Sequence, residues 1–176
     1  MPPLPEEAWT ERQREVLAPL LGNTARNIYT TLVRAPDIAE KMTTFGRTLR
    51  DEPLSLRQRE TLILRTGWNC QSEYEFAQHR ALATRGGMTD DDLRRIVAGP
   101  DADGWDPVER ALCRAADELH NDAAVSDATW AELTAAFGEE ELIQAVLLVG
   151  YYHAVSFALN AFGTPLEPGR LGFLTD

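Results

Sequence analysis

The chain has 176 residues, of which 44% are apolar and 26% are charged, so it is long enough to bury a core as one domain. Its formal net charge of -11 offers no basic face, which argues against binding to nucleic acid or to anionic lipid. The N-terminus, MPPLPEEAWTERQ, has neither the basic nor the apolar region of a signal peptide, and no uninterrupted apolar run reaches the roughly 18 residues of a membrane span. Cys70 and Cys113 are expected to be free thiols, which completes the prediction of a cytoplasmic protein.

Apolar spacing predicts helices along the whole chain, and no alternating strand pattern occurs. We therefore expect an all-α bundle of about seven to nine helices. Residues 1–176 would form a single domain, with its core at 36–100 and a second helical unit at 106–165. In chain order the predicted helices are Glu6–Leu21, one capped by Asn23 and Thr24 that ends at Val33, Pro36 to about Arg50, Leu56 to about Trp68, one capped by Ser72 that stops at Arg85, Thr89–Val97, 107–120, 126–137 and 139–162. The segment after Gly163 is expected to be extended and to pack on a neighbour.

Glu60 is the first candidate site residue. It shares an apolar helix face with Leu56 and Ile63, at offsets of four and seven residues along the helix. A buried carboxylate without a partner is costly, so Glu60 should be paired. The sequence offers His79 or Arg65 as that partner.

Glu75 and His79 are four residues apart on the next predicted helix, so their side chains should meet. They share a stripe with Phe76 and Leu82, which indicates that the pair faces the interior. A carboxylate beside an imidazole fixes its tautomer and favours its protonated form, as a proton relay requires. The alternative is a structural network in which the same groups only satisfy each other.

Metal binding by Glu60, Glu75 and His79 was weighed because two carboxylates and one histidine suit iron or manganese. Ferritin-like centres, however, need Glu-x-x-His pairs on two helices, and the chain has no second one. Glu118 and His120 are two residues apart and so point to different faces. No metal and no cofactor are predicted.

Residues around this pair supply candidate substrate contacts. Trp68 is close in sequence, Arg65 could offset the acidic character of the site, and the run Gly-Tyr-Tyr-His forms a second polar cluster on an apolar helix. His153 in that run fits either a satisfied core histidine or a pocket residue. The predicted substrate-binding set is Trp68, Ser72, Tyr74, Arg65, Tyr151 and His153.

The stretch RETLILRTGWNCQSEYEFAQHRALATRGGMTDDDL, together with LNAFGTPLE further on, resembles the carboxymuconolactone decarboxylase / alkylhydroperoxidase D (AhpD-like) superfamily. The resemblance implies an all-α, AhpD-like fold that assembles as a homo-oligomer, from dimer to hexamer. It also implies that Glu60, Glu75 and His79 are the catalytic residues.

In the peroxidase branch of that superfamily the relay consists of a Glu, a Cys-x-x-Cys pair and a His. Here Glu60 and His79 match the relay positions, whereas Ser72 and Glu75 fall where the cysteines would be. A serine cannot form a sulfenic acid or a disulfide, so two-cysteine chemistry is not expected. The pattern looks more like the decarboxylase branch, whose reaction needs no cofactor.

Three functions follow as hypotheses. The first is a carboxymuconolactone decarboxylase-like lyase, with acid/base chemistry on a small carboxylated or lactone substrate. The second is a peroxiredoxin-like oxidoreductase that uses Cys70 alone. The third is a non-catalytic oligomeric binding module, which an occluded site or a fully bonded Glu60 and His79 would favour.

Overall fold

The computed structural model describes residues 1–20, 22, 26–51 and 53–174, without the side chain of Arg26. Within these ranges the chain is all α-helical, as predicted, and has no strand. A short 3₁₀ turn, Glu6–Ala8, precedes nine helices. They are α1 (Glu11–Leu17), α2 (Arg26–Leu32), α3 (Pro36–Thr48), α4 (Leu56–Asn69), α5 (Glu73–Arg85), α6 (Asp90–Ala98), α7 (Pro107–Asp122), α8 (Asp127–Ala136) and α9 (Glu139–Phe162).

Helix starts follow the capping signals in the sequence at most positions. The hydroxyls of Ser55, Thr89 and Ser126 each accept a hydrogen bond from a backbone N–H in the first turn of their helix. The first helix is shorter than predicted, because Thr10 caps it and α1 starts at Glu11. The predicted caps Asn23 and Thr24 lie outside the described residues.

The prediction that Ser72 caps α5 through its side chain is wrong. This residue occupies the N-cap position, but its side chain makes no capping hydrogen bond. The hydroxyl is instead buried and has no hydrogen-bond partner among the described residues.

Helix α4 is the centre of the fold and packs against α5, α7 and α9. On one side Leu62 and Ile63 join a core cluster that includes Leu112 and Leu148. On the other side Leu64 packs with residues of α5 and α6, chiefly Phe76, Leu93 and Ile96. Residues 60 and 79 therefore lie between two apolar layers, which is why both are buried.

Gln144 fastens the segment between α3 and α4 to α9. Its amide oxygen accepts from the N–H of Leu54 at 2.9 Å, and its amide nitrogen donates to the carbonyl of Leu49, also at 2.9 Å. Breaking these buried hydrogen bonds would leave backbone groups without partners, which is costly. The bonds therefore hold the segment that contains Arg50 beside α9.

Close contact between α3 and α9 depends on Gly46. A Cβ built at Gly46 would overlap the hydroxyl of Tyr151, so the absence of a side chain makes room for that ring. Phe45 packs edge-on against the same ring, with centroids 5.9 Å apart.

Helix α9 has 24 residues and a mean hydropathy of 1.7 in its most apolar window, so by length and composition alone it could cross a membrane. The sequence analysis did not foresee this, because the polar side chains within the helix interrupt its apolar run. Half of that window is buried inside the protein, as in the central helix of a globular fold. Its exposed apolar residues include Ile143, Leu147 and Phe157.

The C-terminal segment packs against its own chain, whereas the expected packing on a neighbour stays a prediction. The phenol of Tyr74 donates to Glu167 Oε1 at 2.6 Å, and the N–H of Asn27 donates to the same oxygen at 2.9 Å. The ring of Phe173 packs edge-on against Trp68, with centroids 5.2 Å apart.

Candidate active site

A cavity of about 430 Å³ opens beside α5 and α9. Helix α5 contributes one wall, α9 a second, and the start of α2 with the segment after α3 a third. Its lining residues are Gly22, Ile28, Tyr29, Arg50, Tyr74, Glu75, Gln78, His79, Leu82, Arg85, Tyr151, Tyr152 and Val155.

His79 stands between two carboxylates. Its Nδ1 lies 2.7 Å from Glu60 Oε2, and its Nε2 lies 3.0 Å from Glu75 Oε1. All three side chains are buried, with relative exposures of 2–5%. Tyr152 packs edge-on against the imidazole, with centroids 4.9 Å apart, so the ring is held by contacts on its edges and on its face.

The electrostatic environment keeps His79 protonated. Burial by itself would lower its pKa, but the charge and hydrogen bond of Glu60, followed by those of Glu75, raise it to about 9. At neutral pH both ring nitrogens therefore carry a hydrogen and donate to the two carboxylates. His79 has no lone pair left with which to act directly as a base.

Glu75 is the member of the triad that can meet a substrate. Glu75 and His79 line the cavity, whereas Glu60 does not and lies behind the imidazole. Glu75 Oε1 accepts from His79, and no hydrogen bond to its second oxygen is recorded among the described residues. A free carboxylate oxygen in an open cavity can accept or deliver a proton.

Arg50 brings positive charge to the cavity. It is half-buried, and its guanidinium donates to the hydroxyl of Tyr152 at 3.2 Å. Two further phenols line the cavity: Tyr74, which is held by Glu167, and Tyr151, whose pKa is raised to about 12 by burial. The cavity thus combines two arginines, the protonated imidazole of His79, neutral phenols and a carboxylate.

Of the predicted substrate contacts, Tyr74 and Tyr151 lie on the cavity wall. Arg65 does not, because it is fully used elsewhere. Its Nε and Nη2 donate to the two oxygens of Asp117, at 2.5 and 2.9 Å, and its Nη1 donates to the carbonyls of Ile96 and Val97. His79, and not Arg65, is the partner of Glu60.

Trp68, Ser72 and His153 also lie outside the cavity. Trp68 points to the other side of α4 and packs against Phe76, with centroids 6.1 Å apart. The hydroxyl of Ser72 is buried without a partner among the described residues. His153 lies on the far side of α9, where its Nε2 is 2.9 Å from Nδ1 of His120.

The sequence analysis missed Arg50, Gln78 and Tyr152 as cavity residues. Gln78 is adjacent to His79 and lies one helical turn after Tyr74, and Tyr152 is adjacent to Tyr151, so their positions beside predicted site residues could have suggested them. Arg50 gave no such signal, because it follows the end of α3 and reaches the cavity through the Gln144 bonds described above.

The triad is poorly arranged to chelate a metal. Glu60 and Glu75 bind opposite nitrogens of one imidazole, so their oxygens and a ring nitrogen do not converge on one point. Among the described residues, the only grouping of three or more ligand side chains whose donor atoms converge is Cys70, His120 and His153.

Residues 36–118 match the model of the carboxymuconolactone decarboxylase family. No curated protein matches the chain. Among solved structures, a peroxidase-related protein from Ralstonia eutropha JMP134, described as an alkylhydroperoxidase AhpD core, is similar. It has a TM-score of 0.80 at 19% identity and covers 94% of this chain and 91% of its own.

Two further structures show the same fold. The debrominase Bmp8, as a variant bound to 2,3,4-tribromopyrrole, has a TM-score of 0.76 at 16% identity, over 95% of this chain and 91% of its own. A peroxidase-related protein from Silicibacter sp. TM1040 has a TM-score of 0.75 at 16% identity, over 94% and 87%. Residues 36–118 are thus similar to the carboxymuconolactone decarboxylase family, and the solved structures show that the chain has an AhpD-like fold.

Proposed function

We propose that the protein is a cofactor-free enzyme that transfers a proton to or from a small carboxylated or lactone substrate, with loss of carbon dioxide as the favoured reaction. The observation that carries the proposal is the free oxygen of Glu75, which lies in the same cavity as Arg50 and is backed by protonated His79. Similarity to the family supports acid/base chemistry of this kind without identifying the substrate.

The proton would travel along the triad. When a substrate carboxylate leaves as carbon dioxide, the electron pair of the broken bond remains on the substrate as an enolate. His79 would pass its Nε2 proton to the Glu75 carboxylate through the 3.0 Å contact, and Glu75 would deliver that proton to the carbon; a proton from solvent would then restore His79. Glu60 would hold the imidazole in position and compensate its charge without touching the substrate, which makes it a positioning residue.

Arg50 would bind the substrate anion. Because the protein is acidic overall, an anionic substrate requires a cation in the site to offset electrostatic repulsion, and Arg50 on the cavity wall is such a cation. The phenols of Tyr74 and Tyr151 have neutral, polar tips that could orient a lactone carbonyl.

The test is to measure carbon dioxide release, and deuterium uptake from D₂O, with carboxymuconolactone and a panel of small β-keto and lactone acids. Glu75→Gln should lower kcat by about a thousandfold, because a general acid typically contributes 10²–10⁴-fold. Glu73→Gln is the matched control, since this exposed glutamate lies on the same helix outside the cavity and should behave as wild type. Full turnover in Glu75→Gln would reject the proposal.

A single-cysteine peroxidase is the second candidate, and the AhpD-like neighbours give it a basis in fold alone. The structure offers it little support, because Cys70 is not among the residues that line the cavity, and burial raises the pKa of its thiol. This alternative requires peroxide turnover that Cys70→Ser abolishes.

The binding-module alternative is supported by one observation, namely that both nitrogens of His79 are bonded. It is opposed by the open cavity and the free oxygen of Glu75. A ligand that protects the protein against unfolding without being altered, and equally in Glu75→Gln, would favour the module.

We also propose that a second copy of this chain covers the exposed face of α9. Ile143, Leu147 and Phe157 lie on that face with relative exposures of 61%, 45% and 61%, and Gly150 and Ala154 lie between them, so that another helix could approach closely. Sedimentation velocity of the wild type and of Leu147→Glu tests this. The variant should dissociate, and a monomeric wild type would contradict the proposal.

A further inference from the structure

A second cluster of reactive side chains lies outside the cavity, where three helices meet. Cys70 is the C-cap of α4, His120 lies in the last turn of α7, and His153 lies in the middle of α9. None of the three lines the cavity around Glu75. Residues that are 50 and 33 positions apart in sequence thus meet at one point.

The three donor atoms lie within 4.8 Å of one another. Nδ1 of His120 is 2.9 Å from Nε2 of His153 and 4.0 Å from Sγ of Cys70. A tetrahedral zinc ion, with bonds of about 2.0 Å to nitrogen and about 2.3 Å to sulfur, sets its ligand atoms roughly 3.3–3.6 Å apart. The distances from His120 to His153 and to Cys70 are therefore within about half an ångström of the spacing in a zinc coordination sphere.

The orientation of His153 favours metal binding. Its Nδ1 is 2.9 Å from the carbonyl of Val149, and a carbonyl can only accept, so Nδ1 carries the hydrogen. In the neutral ring the lone pair is then on Nε2, which faces the other two donors. Zinc-binding histidines are commonly fixed by such a bond from the second nitrogen.

The thiol and the second imidazole are also suited to a cation. The backbone carbonyl of Cys70 accepts from the amide of Asn160 at 2.8 Å, which ties the cysteine to α9. Nδ1 of His120 faces both Nε2 of His153 and Sγ of Cys70, so this ring presents a nitrogen to the point where the other two ligand atoms lie. His120 is exposed while Cys70 and His153 are half-buried, which gives an ion access from solvent.

We propose that Cys70, His120 and His153 form a zinc site, with water as the fourth ligand. Thiolate and imidazole select zinc over magnesium or calcium, which prefer oxygen ligands. On binding, the Cys70 thiol loses its proton to solvent, and His120 changes tautomer, exchanging its Nδ1 hydrogen through solvent for one on Nε2. The zinc ion then forms bonds to Sγ, to Nδ1 of His120 and to Nε2 of His153. The site is independent of the acid/base function proposed for the cavity.

The test titrates zinc into reduced, metal-free protein against a chromophoric chelator, and repeats the titration with cobalt. We expect one equivalent per chain and a sulfur-to-cobalt charge-transfer absorption. Cys70→Ser should remove that absorption, and Cys70→Ser, His120→Gln and His153→Gln should each weaken zinc binding by at least about tenfold. Circular dichroism verifies that each variant is folded.

Two matched variants control for the remaining histidine and cysteine. His79→Gln removes the cavity imidazole and Cys113→Ala the buried thiol, and both should bind zinc as tightly as wild type. Absence of stoichiometric binding would overturn the proposal. So would loss of binding in His79→Gln, or unchanged affinity in Cys70→Ser and both cluster histidine variants.

Discussion

The buried triad and the cysteine–histidine cluster both contain histidine, but the two sites shift the pKa of the imidazole in opposite directions. In the triad, each nitrogen of His79 faces a carboxylate, and the pKa rises to about 9. In the cluster, His120 faces another imidazole and a thiol, and its pKa is lowered. Burial lowers the pKa of both imidazoles, and the carboxylates that contact His79 reverse this effect there.

The largest difference between the two regions should appear in stability. His79→Ala leaves two buried carboxylates without their cation, and breaking a buried ion pair costs about 3–5 kcal/mol. His153→Ala at the half-buried cluster should cost about 1 kcal/mol. Urea denaturation of both variants measures the two free energies of unfolding, and equal losses would show that the triad is not a charged, coupled unit.

Glu60 should affect turnover through His79 alone. Glu60→Gln keeps the shape of the side chain but removes the charge that holds the imidazole protonated, so we expect kcat to fall by about a hundredfold. The same variant should shift the alkaline limb of the kcat profile to lower pH. A fall in kcat with an unchanged pH profile would assign Glu60 a purely structural role.

Substitutions of Arg50 and Arg65 should have smaller effects, and these should differ between the two residues. Arg50→Lys should raise KM by about tenfold with little effect on kcat, because a planar guanidinium binds a carboxylate better than an ammonium does. Arg65→Lys, which disturbs the pair with Asp117 outside the cavity, should leave KM unchanged and reduce stability only. Steady-state kinetics on both variants would show whether the anion binds at Arg50.

The last expected effect is a dependence of stability on pH. The folded pKa of His79, about 9, lies above the unfolded value of about 6.5, so the folded state binds more protons between these two values. Its contribution is fully present below about pH 6.5 and is lost as the pH rises through about 9. The free energy of unfolding should decline by at most about 1.4 kcal/mol per pH unit over that window, and the slope should flatten in Glu60→Gln.

Local spacing in the sequence predicted much of the fold and the centre of the site. The spacing of Leu56, Glu60 and Ile63 places the glutamate among apolar neighbours, and the separation of four positions from Glu75 to His79 brings those side chains together. Ser55, Thr89 and Ser126 marked the starts of their helices for the same reason, since capping is decided within one turn.

Contacts between distant segments were beyond the reach of that reasoning. Trp68 was assigned to the site by proximity in sequence, but its ring lies on another face of α4, against Phe76 and Phe173. Arg50 reaches the cavity only because Gln144, about ninety residues away, holds its segment. His120 and His153 meet Cys70 through the packing of α4, α7 and α9, which no periodicity within one helix records.

The absence of a side chain at Gly46 determines where the ring of Tyr151 can lie, and so affects the shape of the cavity. Tyr151 lines the cavity and occupies the space that a residue at position 46 would otherwise fill. A methyl group at position 46 would displace the phenol of Tyr151. The volume available to a bound substrate would then change, although residue 46 does not itself line the cavity. A substitution at position 46 could therefore change which substrate sizes the cavity accepts, in related proteins or by design, although this position is remote from every reacting atom.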